Sequence, residues 1–167
     1  MTDFPEPAGD TADPAVLFAR YLDFYRETVI RKVGSLTAAD AQTSRLPSGW
    51  SPLELLRHLA YMERRWLVWG FEGEAVDEPW GDARDDRWHV PPGVTSEATV
   101  SMLRDVGRRT SALLAGHSLD EVGVPGGRFD DEPPTLAWIC FHVLQEYARH
   151  AGHLDIAVEL AGGDLGE

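Results

Sequence analysis

Cysteine is almost missing from this sequence: Cys140 is the only one in 167 residues. A single thiol excludes an intramolecular disulfide framework and any zinc site built on several cysteines. Lysine is equally scarce, with Lys32 the only one among 15 basic residues. Together with the many Ala, Gly, Asp and Val, this matches the coding bias of high-GC actinobacteria. Long hydrophobic runs are absent, and no stretch approaches the roughly 18–20 apolar residues of a membrane span. Positive charge is in deficit, with 28 acids against 15 bases and a net charge of −13. Nucleic-acid binding needs a basic surface that neutralises phosphates, so it is excluded, as is docking on an anionic membrane. The first residues, MTDFPEPAGDTADPAV, lack a basic region and an apolar region. No signal peptide is therefore expected, and the cytoplasm is the default location.

What remains is an ordinary globular mix, 43% hydrophobic and 26% charged, at a length that suits one core. Residues 1–12 read as a flexible leader and 13–163 as a single domain. Asp13-Pro14 is a helix start, Asp as N-cap and Pro at the first helical position. Leu17, Tyr21, Phe24, Ile30 and Val33 then predict a helix over about 14–33. Ser51-Pro52-Leu53-Glu54 is a capping box with Pro at its first position. The stripe Leu55, Leu59, Met62, Trp66 and Trp69 follows, ending at Gly70. A third helix fits about 96–115, with Val100, Leu103, Val106, Leu113 and Leu114 inside. The last, about 135–161, has the most regular seam: Leu136, Cys140, Val143, Tyr147, His150, Leu154, Ala157 and Ala161. Residues 71–94 and 116–134 read as long loops rich in Gly and Pro. Loops of that length are functional lids, binding segments or mobile connections. The fold class is all-α, with four core helices and two long connections.

The seam of the last helix contains a histidine, His150, with Glu146 one turn before it. Side chains four apart are separated by about 6 Å along a helix axis and about 40° around it, so both can reach one metal ion. A carboxylate oxygen and an imidazole nitrogen suit Zn²⁺, and also Ni²⁺, Mn²⁺ or Fe²⁺. A third ligand must come from another helix, and His58, between Leu55 and Met62, lies on the inner edge of the second. A plainer account stays open here. His150 can be a hydrogen-bonded core histidine, and Glu146 can be solvated or paired with Arg149 or Arg26. A carboxylate beside a buried stripe is nonetheless costly unless something neutralises it.

His142 and His153 flank this pair, as outer partners of the ligands or as surface histidines. Arg149, Trp66 and Trp138 are further candidates for contacts around the ligands or for a substrate pocket. His89 and His117 lie in or beside loops and read as solvated, Cys140 reads as packing, and Ser51 as a cap.

Two segments carry a family resemblance: Trp50-Ser51-Pro52-Leu53 leading into His58-Leu59-Ala60, and Glu146-Tyr147-Ala148-Arg149-His150-Ala151-Gly152-His153-Leu154-Asp155. In these the chain resembles the DinB-like superfamily, and within it the mycothiol-dependent maleylpyruvate isomerase and thiol S-transferase group, over about residues 15–162. The resemblance implies a four-helix bundle with an up-down-down-up course and a divalent-metal site at one end. The positions matching the family's ligands are His58, Glu146 and His150. Many members have His where this chain has Glu146, whereas the mycothiol-dependent isomerase is similar in having Glu. His153 stands where many members have Gln.

The implied activity is transfer of a low-molecular-weight thiol such as mycothiol to an electrophile, or thiol-assisted isomerisation, with the thiol activated at the metal. Residues 71–94, with Trp80, Trp88 and His89, are the expected lid. An anionic thiol compound would call on Arg64, Arg65 or Arg149. The alternative is a non-enzymatic metal- or ligand-binding stress protein whose metal staples the helices, with a metal hydrolase a weaker third reading. The resemblance also implies a homodimer.

Overall fold

The computed structural model describes residues 6–163. Residues 1–5 of the expected leader lie outside the described residues. The described chain is mostly helical, with little strand.

Helix α1 (Pro14–Gly34) begins as expected: the Asp13 carboxylate accepts from the Ala15 amide at 2.9 Å, and Pro14 needs no donor partner there. A short helix α2 (Ala38–Gln42) follows under a Thr37 cap. Helix α3 (Pro52–Arg64) opens with the complete capping box, Ser51 N donating to Glu54 at 2.7 Å and Glu54 N to Ser51 Oγ at 3.3 Å. The chain does not stop there but continues as a π-helical segment, Arg65–Phe71. Beyond it, β1 (Ala83–Arg84) and β2 (Arg87–Trp88) form an antiparallel hairpin, with Ala83 opposite Trp88. Its two turn residues, Asp85 and Asp86, have φ of 51° and 59°, the left-handed pair of a tight hairpin turn. Helix α4 (Ser96–Gly116) is capped by Thr95 and helix α5 (Leu136–Leu160) by Thr135.

Helix α1 packs against α4 and α5, and α3 packs against the same two. Leu22, Val29, Leu55, Leu59, Leu103, Ile139, Val143 and Leu154 are wholly buried between them. Each such side chain contributes about 1.5–3 kcal/mol relative to exposure. The α5 seam is as predicted, from Leu136 through Ala157; Ala161 lies just past its last turn.

Three expectations need correction. The buried residues of α1 are Phe18, Leu22, Arg26, Thr28, Val29, Lys32 and Val33, while the expected Leu17, Tyr21, Phe24 and Ile30 are only half-buried. The true seam contains an arginine, so a search for apolar spacing slides off it. Arg26 is tolerated there because Glu63, fully buried on α3, accepts from its Nε at 3.0 Å and its Nη2 at 2.7 Å. Tyr147 donates to the same carboxylate at 2.5 Å, and Thr110 donates as well. Second, α3 does not end at Gly70 as a regular helix; the π-helical turn shifts Trp66 and Trp69 to half-buried positions. Third, 71–94 is not wholly loop, because it holds the hairpin.

The π-helical segment leaves backbone carbonyls that the 123–129 loop takes up. Val124 N donates to Phe71 O at 2.7 Å and Arg128 N to Trp69 O at 3.1 Å. A Cβ on Gly127 would lie 2.2 Å from Trp69 O, so only glycine allows this approach.

Candidate metal centre

His58 of α3 and Glu146 and His150 of α5 converge. One donor atom from each lies within 4.8 Å of the others. His150 Nε2 is 3.2 Å from Glu146 Oε2, and the His58 and His150 rings stand edge to face at 5.1 Å. His150 is 6% exposed, while His58 and Glu146 keep 14% and 18% of their side-chain surface. The group therefore lies at the edge of the core.

The local electrostatics keep donors available. Burial pushes His150 down to about 4, a protonated His58 would push the same way, and Glu146 pulls against both. Its imidazole is neutral at pH 7 and offers a lone pair. His58 Nδ1 lies 2.9 Å from Asp82 Oδ2. Asp82, 1% exposed, is clamped by Arg65 through Nη1 at 2.5 Å and Nη2 at 3.1 Å. Burial raises the Asp82 pKa, but the hydrogen bonds from His58 and Arg65 and the Arg65 charge outweigh it, so the carboxyl stays below the usual range. An ionised carboxylate only accepts, so His58 Nδ1 carries a proton, and in the neutral ring Nε2 is the nitrogen with the lone pair.

Trp88 of β2 walls the group, stacked on His58 at 4.5 Å and 22° and edge-on to His150 at 5.3 Å. Trp50 stands behind Trp88 at 5.7 Å. The long connection thus reaches the site through Asp82 and Trp88. Trp80 is 53% exposed, and His89 meets Asp82 only through its backbone amide, at 2.8 Å.

The plainer partners for Glu146 are engaged elsewhere or distant. Arg26 pairs with Glu63 and Asp23, and Arg149 is exposed and is not brought to the group. His153 is brought to it, with Nδ1 3.4 Å from His150 Nδ1. His142, Trp66 and Trp138 form a separate, adjoining aromatic group: His142 lies 4.0 Å from Trp66 and stacks on Trp138 at 5.6 Å. Burial lowers the His142 pKa, Glu146 opposes this and Arg128 adds to it. His117 lies apart, edge-on to Phe71 at 5.2 Å. Cys140 is fully buried, and burial together with Glu63 pushes its thiol up to about 12, so it is no nucleophile.

Asp82 is the site residue that sequence patterns missed, and Arg65, named there only for an anionic thiol compound, instead clamps Asp82. Asp82 is one of 28 acids in a stretch without periodicity. Arg65 carried a faint signal, seven residues and about two turns after His58 on the same helix face.

No curated protein matches the chain. Among solved structures it is similar to a conserved protein of Enterococcus faecalis, with a TM-score of 0.62 and 15% identity over 92% of this chain and all of that one. At that identity the likeness speaks to the fold alone. The family model described as mycothiol-S-transferase matches residues 17–163, which include every ligand candidate and the two segments read above. The chain belongs to the mycothiol S-transferase family of the DinB-like superfamily.

Proposed function

We propose that this chain is a divalent-metal-dependent S-transferase that joins mycothiol, or a similar low-molecular-weight thiol, to a small electrophile, with thiol-assisted isomerisation as the neighbouring chemistry. The observation that carries this reading is the convergence of His58, Glu146 and His150 from two helices in a chain of this family. Three ligands around a tetrahedral ion at about 2.0–2.2 Å stand roughly 3.3–3.6 Å apart. Glu146 Oε2 and His150 Nε2, 3.2 Å apart, lie near that spacing, and all three donor atoms lie within 4.8 Å of one another; two nitrogens with one carboxylate oxygen suit zinc first, then nickel, manganese or iron.

A divalent ion held there would lower the pKa of a bound thiol and make a thiolate available at neutral pH. The residues of the chain have distinct tasks. His58 and His150 give neutral donors. Glu146 supplies the single negative charge, which leaves room for one more anionic ligand on a divalent ion. Asp82, itself held by Arg65, fixes the tautomer and aim of His58. Trp88 covers one side and limits water. The absence of a cysteine set supports an open site of this kind over a closed structural zinc.

The same reading takes the helices as an up-down-down-up four-helix bundle, residues 13–163 as one domain and the protein as cytoplasmic. It also takes the molecule as a homodimer. Phe141 and Trp138 on α5, 65% and 51% exposed, support pairing through that face.

The test is thiol consumption by zinc-loaded protein with mycothiol and a panel of electrophiles. The expected result is turnover that chelation removes and that Glu146→Ala abolishes. Stable metal binding with no turnover on any electrophile would favour the non-enzymatic reading.

A further inference from the structure

Arg128 stands apart from the other arginines that are buried or half-buried. Arg26 and Arg65 are paired with carboxylates, and Arg57 and Arg64 donate to Tyr61 and to the Asp77 carbonyl. Arg128 makes no side-chain hydrogen bond or ion pair with any described residue, and its Nη1 is sealed from solvent without an acceptor. Its guanidinium lies over the Trp66 ring at 4.2 Å and faces Trp80 at 5.5 Å. Arg65 faces the same Trp80 at 4.4 Å. Two guanidinium groups thus share one indole, and only one of them has a carboxylate. Burial and the Arg65 charge both press Arg128 below the usual arginine value. Holding a half-buried cation without an acid is costly, and this chain has 28 acids from which one could have been placed there.

The segment that carries Arg128 is anchored. Its own amide is bonded to Trp69 O at 3.1 Å, and Gly126 N to Phe129 O at 2.9 Å. Gly127 lets the loop approach where a side chain would collide with the π-helical backbone. The cation is therefore presented from a fixed backbone. Its floor, Trp66, contacts His142 at 4.0 Å, and His142 precedes Glu146 by one turn, about 6 Å of helix axis.

We infer that Arg128, with the indoles of Trp66 and Trp80, forms a subsite for a small ligand carrying one anionic group on a flat apolar body, beside the His58–Glu146–His150 group. The anion takes the open edge of the guanidinium through charge-assisted hydrogen bonds, and the flat body lies on the aromatic rings. Joined to the proposed transferase activity, the subsite makes the electrophile an anionic, planar acid. That last step rests on the reading above; the subsite itself does not.

Benzoate and its neutral analogue benzamide test the subsite, titrated into the full chain and followed by tryptophan fluorescence, with and without zinc. Benzoate is expected to bind about tenfold or more tightly than benzamide, the worth of a hydrogen bond to a charged group. The preference persists without zinc and is lost in Arg128→Gln with zinc content and melting unchanged. Trp80→Ala, at an exposed indole, gives a second and milder variant that weakens benzoate binding without disturbing the core. Equal binding of the two probes, or a preference kept by both variants, overturns the subsite. A preference that vanishes with zinc and survives Arg128→Gln also overturns it, because the metal then holds the anion. Failure to load zinc with an intact Arg128-dependent preference sinks the metal reading and leaves the subsite standing.

Discussion

Replacing Asp82 by Asn tests whether the carboxylate positions His58 or merely ties down the connection it sits on. Asp82 serves two partners at once: His58 Nδ1 at 2.9 Å and both terminal nitrogens of Arg65, at 2.5 and 3.1 Å. An asparagine of the same shape keeps one acceptor oxygen and turns the other into a donor amide. With its oxygen in the place of Oδ2 it keeps His58 and Arg65 Nη2 and turns the amide on Arg65 Nη1; flipped, it keeps Arg65 Nη1 alone and turns the amide on His58. Loss of an outer partner of a metal-bound histidine costs about 10–100-fold in metal affinity, or roughly 1.4–2.7 kcal/mol. Arg65 is only 4% exposed, and breaking a buried ion pair by removing one partner costs about 3–5 kcal/mol of stability. That approaches the whole margin of roughly 5–15 kcal/mol for a domain. The double variant Arg65→Met, Asp82→Leu is therefore measured beside it, because it removes the unpaired charge and leaves His58 Nδ1 without an acceptor. Zinc affinity is read by competition with a chromogenic chelator, and folding by thermal melting. The single variant is expected to lose both affinity and stability. The double variant recovers stability but not zinc affinity. Zinc affinity within twofold of the wild type in a folded double variant would refute the positioning role.

Other consequences follow from the buried polar groups. Glu63→Ala leaves Arg26 buried without its bidentate partner and is expected to cost about 3–5 kcal/mol in urea unfolding; a loss below about 1 kcal/mol would contradict the network of Arg26, Tyr147, Thr110 and Glu63. Cys140, at about 12, has roughly one thiolate in ten thousand at pH 8. Iodoacetamide is expected to label it only in denaturant, and rapid labelling of the native protein would count against its buried position. Alkali adds a linked effect. The thiol of Cys140 and the phenol of Tyr147 both lie above their ordinary values, pushed there first by burial and then by the Glu63 charge. The unfolded chain therefore loses these protons first, so their contribution is full below about pH 8.5 and declines above it. The slope is about 1.4 kcal/mol per pH unit for the thiol, doubling past about pH 10 as the phenol joins. Cys140→Ser removes the first component, and an unchanged slope in that variant would refute its assignment.

Much of this was legible in the residues because caps and seams are local. Asp13-Pro14 and the Ser51/Glu54 box place two helix starts, and the four–three spacing from Leu136 to Ala157 sets the buried face of α5 and, with it, His150. The rest was hidden where a polar group replaced an apolar one or where tertiary contacts decide. Arg26 in the α1 seam broke the pattern, and only the distant Glu63 explains it. The π-helical turn depends on carbonyls accepted by the 123–129 loop, which no local spacing reveals. The hairpin has two-residue strands and an Asp85-Asp86 turn instead of an Asn-Gly signal. Asp82 owes its role to Arg65 and His58, seventeen and twenty-four residues away in the chain. Glu146 and His150 stood out in the sequence because they share a helix and one edge of its seam.

The central claim is that His58, Glu146 and His150 hold one divalent ion. Metal content per chain, measured by elemental mass spectrometry after zinc loading and dialysis, tests it most directly in wild type and in His58→Ala, Glu146→Ala and His150→Ala. One zinc per chain in the wild type and loss in each folded variant is the predicted result. No zinc in the wild type, or one zinc retained by all three variants, would contradict it.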